Sequence, residues 1–300
     1  MSVKIPTQDF LVPEGAKLNL RKWPTAVTPA YRSKDEYQEL LERQVGKLAS
    51  LQELLYASNR HALLLMFQGM DTSGKDGAIK HVMSGVNPQG CEVTSFKHPS
   101  AAELQHDFLW RSTRALPERG RIGIFNRSYY EEVVVVRVHP ELLQAENLPD
   151  RDAAGEGSGK DRGDGKFWRA RFHSIVDLET HLSRNGTRIL KFCLHLSTDE
   201  QRRRLLERID DSQKVWKFNF ADIREREHWP AYMDAYERCI GATSTQQAPW
   251  YVVPADDKQN ARLIVSKVVT DTLEALDMRY PKAGAALRRE LREARTRLEA

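Results

Sequence analysis

The chain has 300 residues, 40% hydrophobic and 29% charged, which is enough for one large α/β domain with appendages and makes no demand for two. A formal net charge of only +4 does not by itself require a polyanionic partner, so the placement of the basic residues matters more than their number. Cys91, Cys193 and Cys239 have no metal-type spacing and read as reduced thiols, the N-terminus lacks a continuous apolar run, and no stretch is long enough to span a bilayer; a cytoplasmic chain without membrane contact is expected.

Residues 1–60 hold a loop with several prolines and then an amphipathic helix over "DEYQELLERQVGKLASLQELLYASN". Five short apolar runs follow, at 61–67, 91–96, 121–126, 188–196 and 250–255, mostly without alternation, as in strands buried on both faces. Between them "KDGAIKHVMSGV", "SAAELQHDFLWRSTRAL" and "FWRARFHSIVDLETHLSRNG" read as helices, the last stopped by Asn185 and Gly186. Alternating strands and helices predict an α/β fold with a parallel five-stranded sheet covered on both sides. The polar, glycine-rich segment 150–166 reads as a surface insertion. Segment 197–229 opens with an N-cap at Ser197 or Thr198 and Glu200 behind it, then gathers basic residues around two bends, which makes it a candidate lid. The C-terminal "KAGAALRRELREARTRLEA" is a charged helix, either solvated or in a subunit contact.

The stretch "LLLMFQGMDTSGKDGAIKHV" nearly spells a phosphate-binding loop, G-x-x-x-x-G-K followed by Ser or Thr. Gly69, Gly74 and Lys75 fit, but Asp76 stands where a magnesium-binding hydroxyl is usual. An ordinary strand-to-helix turn could hold these glycines by chance, yet the strand, loop and helix all fall where an anion site needs them. Gly69, Thr72, Ser73, Gly74, Lys75, Asp76, Gly77 and Lys80 form the candidate phosphate-binding set. A carboxylate inside such a loop repels phosphate unless a cation lies between, so the loop itself predicts a metal, with Asp71 the first candidate ligand. At the end of the third strand Asn126 and Arg127 are followed by Glu131 and Glu132; Arg127 would face the ligand crevice, the alternative being a surface ion pair. Arg202, Arg203, Arg204, Arg208, Lys214, Lys217 and Arg224 populate the lid, although interleaved acids would also suit a solvated helix face.

Taken in order, "GMDTSGKDGAIKHV", "NPQGCEVTSFKHPSAAELQHDFLWR", "GRIGIFNRSYYEEVVVVRVH", "RRRLLERIDDSQKVWKFNFADIRERE" and "APWYVVPADDK" resemble the polyphosphate kinase 2 family across most of residues 50–265. The resemblance implies a P-loop kinase with a three-layer α/β/α sandwich and a helical lid, similar to thymidylate kinase. It also implies transfer of the terminal phosphoryl group of inorganic polyphosphate to a nucleotide, reversibly. Asp71, Lys75 and Arg127 would then be catalytic, and Arg204, Arg208, Lys214 and Lys217 would line the polyphosphate path. Magnesium, or manganese in its place, would sit on Asp71 with Asn126 and Glu131. Many members carry Asp-Arg-Ser where this chain reads Asn126, Arg127, Ser128, a variant that looks like the branch acting on both AMP and ADP. The implied organisation is an N-terminal extension and helix over 1–55, a kinase domain over 56–280 with its lid at 198–229, and a charged helix over 281–300. Polyphosphate and adenine or guanine nucleotides are the expected partners, with a homo-oligomer and no nucleic acid. An ATP-dependent nucleoside monophosphate kinase and a non-enzymatic polyanion-binding protein are the competing readings.

Overall fold

The structure is a computed structural model that describes residues 5–148 and 165–300. The short apolar runs become strands because each can bury both faces. Residues Leu63, Leu65 and Phe67 of β2 (Ala62–Gln68) enter one core, whereas Leu64 and Met66 enter the other. The same division runs through β4 (Ile122–Asn126), β5 (Thr187–His195) and β6 (Trp250–Pro254), while β3 (Cys91–Ser95) is a more exposed edge.

With β1 (Leu11–Val12) included, the sheet order is β1-β6-β5-β2-β4-β3. The five expected strands pair in parallel. The sheet as a whole is nevertheless mixed and six-stranded, because β1 (Leu11–Val12) adds an antiparallel edge along β6. Its two residues carry no periodic signal of their own; tertiary contact alone defines the strand.

Helices α1 (Lys34–Ser58), α2 (Lys75–Val82) and α10 (Lys258–Glu274) cover one face. The other face is covered by α4 (Glu131–Val138), α6 (Lys166–Arg184) and α9 (Trp229–Thr243). The run at 100–116 is not the continuous helix expected: only α3 (Trp110–Thr113) and a short 3-10 turn form there. Polar side chains close the turns locally, with Ser100 N–H donating to Glu103 Oε2 at 2.7 Å and Leu109 N–H to Asp107 Oδ1 at 3.0 Å. A further short helix, α5 (Pro140–Ala145), precedes the insertion expected at 150–166, nearly all of which lies outside the described residues.

The candidate lid comprises α7 (Thr198–Asp210), a 3-10 turn at Val215–Lys217 and α8 (Phe220–Glu227). Ser197 Oγ accepts from Glu200 N–H at 3.1 Å and so caps α7. The C-terminal α11 (Ala285–Glu299) buries none of its residues. Cys193 and Cys239 are buried and Cys91 half-buried, all three unbridged. Among the described residues no helix is long and apolar enough to cross a membrane.

Because β2 is central, with β4 on one side and β5 on the other, the loop after its carboxyl end opens at the sheet's topological switch point.

Candidate active site

The loop after β2 turns sharply at Gly69, whose φ of +141° suits glycine alone; a Cβ there would sit 2.8 Å from the Leu194 carbonyl oxygen. Thr72 is held at φ +64° and Gly74, which opens α2, at +101°. Thr72 Oγ1 and Ser73 Oγ are buried and meet no hydrogen-bond partner. Hydroxyls orphaned in this way at a helix N-terminus suit an incoming anion.

Lys75 folds back over its own loop, its Nζ donating to the Gly69 carbonyl at 2.6 Å and the Met70 carbonyl at 3.3 Å. Burial, helped by Arg127, pulls this ammonium below its ordinary value, against the opposing pull of Asp71, Glu131 and Asp76. Phosphate oxygens entering the loop would oppose that shift and favour the charged form.

Arg127 sits directly across. Its N–H joins the sheet through the Phe67 carbonyl at 3.0 Å, and its guanidinium bridges Asp71 at 3.2 Å and Glu131 at 3.1 Å. Glu131, with Asp71 in support, pushes the guanidinium pKa up, so it stays charged. Glu131, the expected third metal ligand, is absent from the cleft lining, and its carboxylate is paired with the Arg127 guanidinium. Asn126 donates to Asp76 at 2.7 Å and lines the cleft, its amide oxygen taking no part in that bond.

The cleft has a volume of about 690 Å³ and brings together Asp71 to Gly77, Asn126 and Arg127 with Arg204, Arg208, Lys214 and Lys217 of the lid. Lys80 does not join them; it is exposed farther along α2, beyond the turn that meets the loop.

Arg204 departs from its expected role. It is 3% exposed and all its donor groups are in use: Nε to Glu200, one terminal nitrogen to the Thr72 and Ser73 carbonyls, the other to those of Ala255 and Asp256. The side chain is a strut between loop, lid and β6, without a free donor for polyphosphate. Arg208 and Lys214 instead meet carboxylates, Arg208 at Asp222 (3.2 Å) and Lys214 at Glu207 (2.5 Å) and Asp211 (2.9 Å). Lys217 lies 5.0 Å from the centre of the Trp216 ring.

Several cleft residues escaped the sequence reading. Lys97 and His98 follow β3 at the same carboxyl edge, a placement the switch-point rule could have flagged. Lys258 and Arg262 project from the first turns of α10 after Asp257, the N-cap that accepts from Gln259 and Asn260 N–H groups. Gln201, buried on α7, donates to the Asp71 carbonyl at 3.1 Å and fixes the loop from behind.

Comparison with known proteins follows this geometry. A family model described as Polyphosphate kinase 2 matches residues 31–148 and 160–281. The ADP-polyphosphate phosphotransferase of Rhodopseudomonas palustris is 61% identical over 296 residues, covering 99% of each chain. The AMP/ADP-polyphosphate phosphotransferase of Meiothermus ruber is 41% identical over 275 residues, covering 91% of this chain and 95% of the relative. The crystal structure of Polyphosphate Kinase 2 from Arthrobacter aurescens TC1 superposes with a TM-score of 0.83 at 38% identity, covering 96% of both chains. With a cleft of this form, a family model matching most of its length and relatives aligned along nearly all of it, the chain belongs to the polyphosphate kinase 2 family.

Proposed function

We propose that this chain is a phosphotransferase that moves the terminal phosphoryl group of inorganic polyphosphate to AMP and to ADP, reversibly. The observation that carries the reading is a phosphate loop with two unpartnered buried hydroxyls, faced by lid cations whose partners are carboxylates or a ring face. The names of the relatives support both acceptors, one being an ADP and another an AMP/ADP enzyme.

In this scheme polyphosphate lies along Arg208, Lys214 and Lys217, displacing the carboxylates that hold them. A nucleotide phosphate oxygen attacks the terminal phosphorus in line; the new P–O bond forms as the bond to the chain breaks, and polyphosphate leaves one unit shorter. Lys75 and Arg127 take up the charge spread over the transferring group. Little proton chemistry is needed, because the attacking oxygen is already ionised near neutral pH. The lid, in the manner of thymidylate kinase, excludes water once both substrates are seated.

The donor set fits magnesium, or manganese in its place. Asp71, Asp76 and the Asn126 amide are hard oxygen donors at one side of the cleft, and magnesium takes one or two carboxylates, with water and phosphate completing its shell. When bound, the ion screens the two substrates' phosphates from each other.

The test mixes purified protein, magnesium, long-chain polyphosphate and AMP without ATP and follows nucleotides by anion-exchange chromatography. ADP and then ATP should appear. Formation of ATP only from added ADP would remove AMP as an acceptor, and conversion of AMP only when ATP is the donor would overturn the reading.

A further inference from the structure

The transfer chemistry makes no use of the most deeply buried charges among the described residues. Lys191 on β5 and Glu179 on α6 are 0% and 1% exposed and pair at 2.5 Å between Nζ and Oε2. Lys191 also donates to the Tyr130 hydroxyl at 3.0 Å and the Thr243 carbonyl at 2.7 Å, which exhausts its three protons. Glu179 Oε1 accepts two consecutive tyrosine hydroxyls, Tyr129 at 2.9 Å and Tyr130 at 2.7 Å. Buried ion pairs rarely add stability over apolar residues of similar volume, so this one calls for another reason.

The two tyrosines begin two residues beyond Arg127. That arginine holds φ +65°, a left-handed backbone that a bulky side chain keeps only where its surroundings over-determine it. On its upstream side it is pinned by its N–H bond to Phe67. On its downstream side Ser128 is fully buried, and its Oγ accepts from Gln68 Nε2 at 3.2 Å and from Tyr130 N–H at 3.3 Å. One residue therefore separates Arg127 from two side chains locked onto a single carboxylate.

We propose that the Lys191–Glu179 pair, through Tyr129 and Tyr130, is a positioning device that holds Arg127 in its left-handed backbone and so aims its guanidinium at the transferring phosphoryl group. The inference rests on the role given to Arg127 above. These four residues touch no substrate; they act through Arg127, and their loss lowers turnover rather than substrate binding.

The test is steady-state kinetics on Tyr129→Phe/Tyr130→Phe, which removes both hydroxyls and leaves Glu179 paired with Lys191. The expected result is a fall in kcat of about 10- to 100-fold, since displacement of a catalytic group by an ångström has that scale, with both KM values within about twofold of wild type. The loss should vanish in an Arg127→Ala background, where there is no guanidinium left to position. Lys191→Met/Glu179→Leu, an apolar replacement of the pair, should behave alike; if it does not fold, the tyrosine variant decides. Wild-type turnover in a folded variant, or a loss that multiplies with that of Arg127→Ala, overturns the inference. Wild-type protein assayed alongside separates this from failure of the phosphotransfer reading, in which case the parent enzyme itself transfers nothing from polyphosphate.

Discussion

The inner and outer turns of α7 carry arginines four residues apart that meet different partners. Arg204 is closed in by four backbone carbonyls and Glu200, whereas Arg208 is 25% exposed and bonded to the Asp222 side chain alone among its described contacts. Backbone carbonyls of a folded loop cannot leave, so an arginine tied to them is a fixed part of the site. A side-chain carboxylate can rotate away, so an arginine tied to one can exchange it for phosphate at little cost. Within one helix, the partner and not the residue type separates the strut from the proposed substrate track.

The largest effect that sharpens this contrast is expected inside the loop. Lys75→Ala removes the buried cation of the phosphate loop, and kcat should drop by about 10²–10³-fold with the melting point nearly unchanged. Turnover near the wild-type level would mean that the loop does not hold the transferring group. A smaller effect is expected at Glu200, which carries the strut. Hydrogen bonds from Arg203 and then Arg204 hold its carboxyl down at about 2, against 4.5 for an unperturbed glutamate. A depressed pKa stabilises the fold above the unfolded value and loses that contribution as pH falls through the folded one. The melting-point advantage of wild type over Glu200→Gln should therefore be full near pH 6 and shrink between pH 4.5 and 2. A gap that stays constant across that range would leave the strut without its ionic partner.

Much of this arrangement was legible in the chain. The five parallel strands announced themselves as short apolar runs with both faces to bury, and the loop by glycines at Gly69 and Gly74 that the backbone angles require. What stayed hidden depended on partners distant in sequence. Lys258 and Arg262 carry no local sign that their end of α10 meets the cleft. The pairing of Glu131 with Arg127 and the carbonyl partners of Arg204 have no local sign either, because spacing reveals a shared helix face but not what lies against it. Lys80 is close to the loop in sequence, but a helix carries such a residue away from its own N-terminus within about a turn and a half. The antiparallel β1 edge and the broken helix at 100–116 were likewise decided by tertiary and side-chain contacts that override local propensity.

The most direct test of the strut and the track is to measure half-saturating polyphosphate and AMP concentrations, with melting points, for Arg204→Ala and Arg208→Ala in parallel. Arg208→Ala should raise the polyphosphate value by about tenfold, the scale of one hydrogen bond to a charged group, while leaving AMP saturation and the melting point in place. Arg204→Ala should lower the melting point by about 5 °C or more and reduce kcat, with the smaller change in polyphosphate saturation. If the two variants share one profile, or if Arg208→Ala weakens both substrates equally, the division of α7 into a fixed strut and an exchangeable track is wrong.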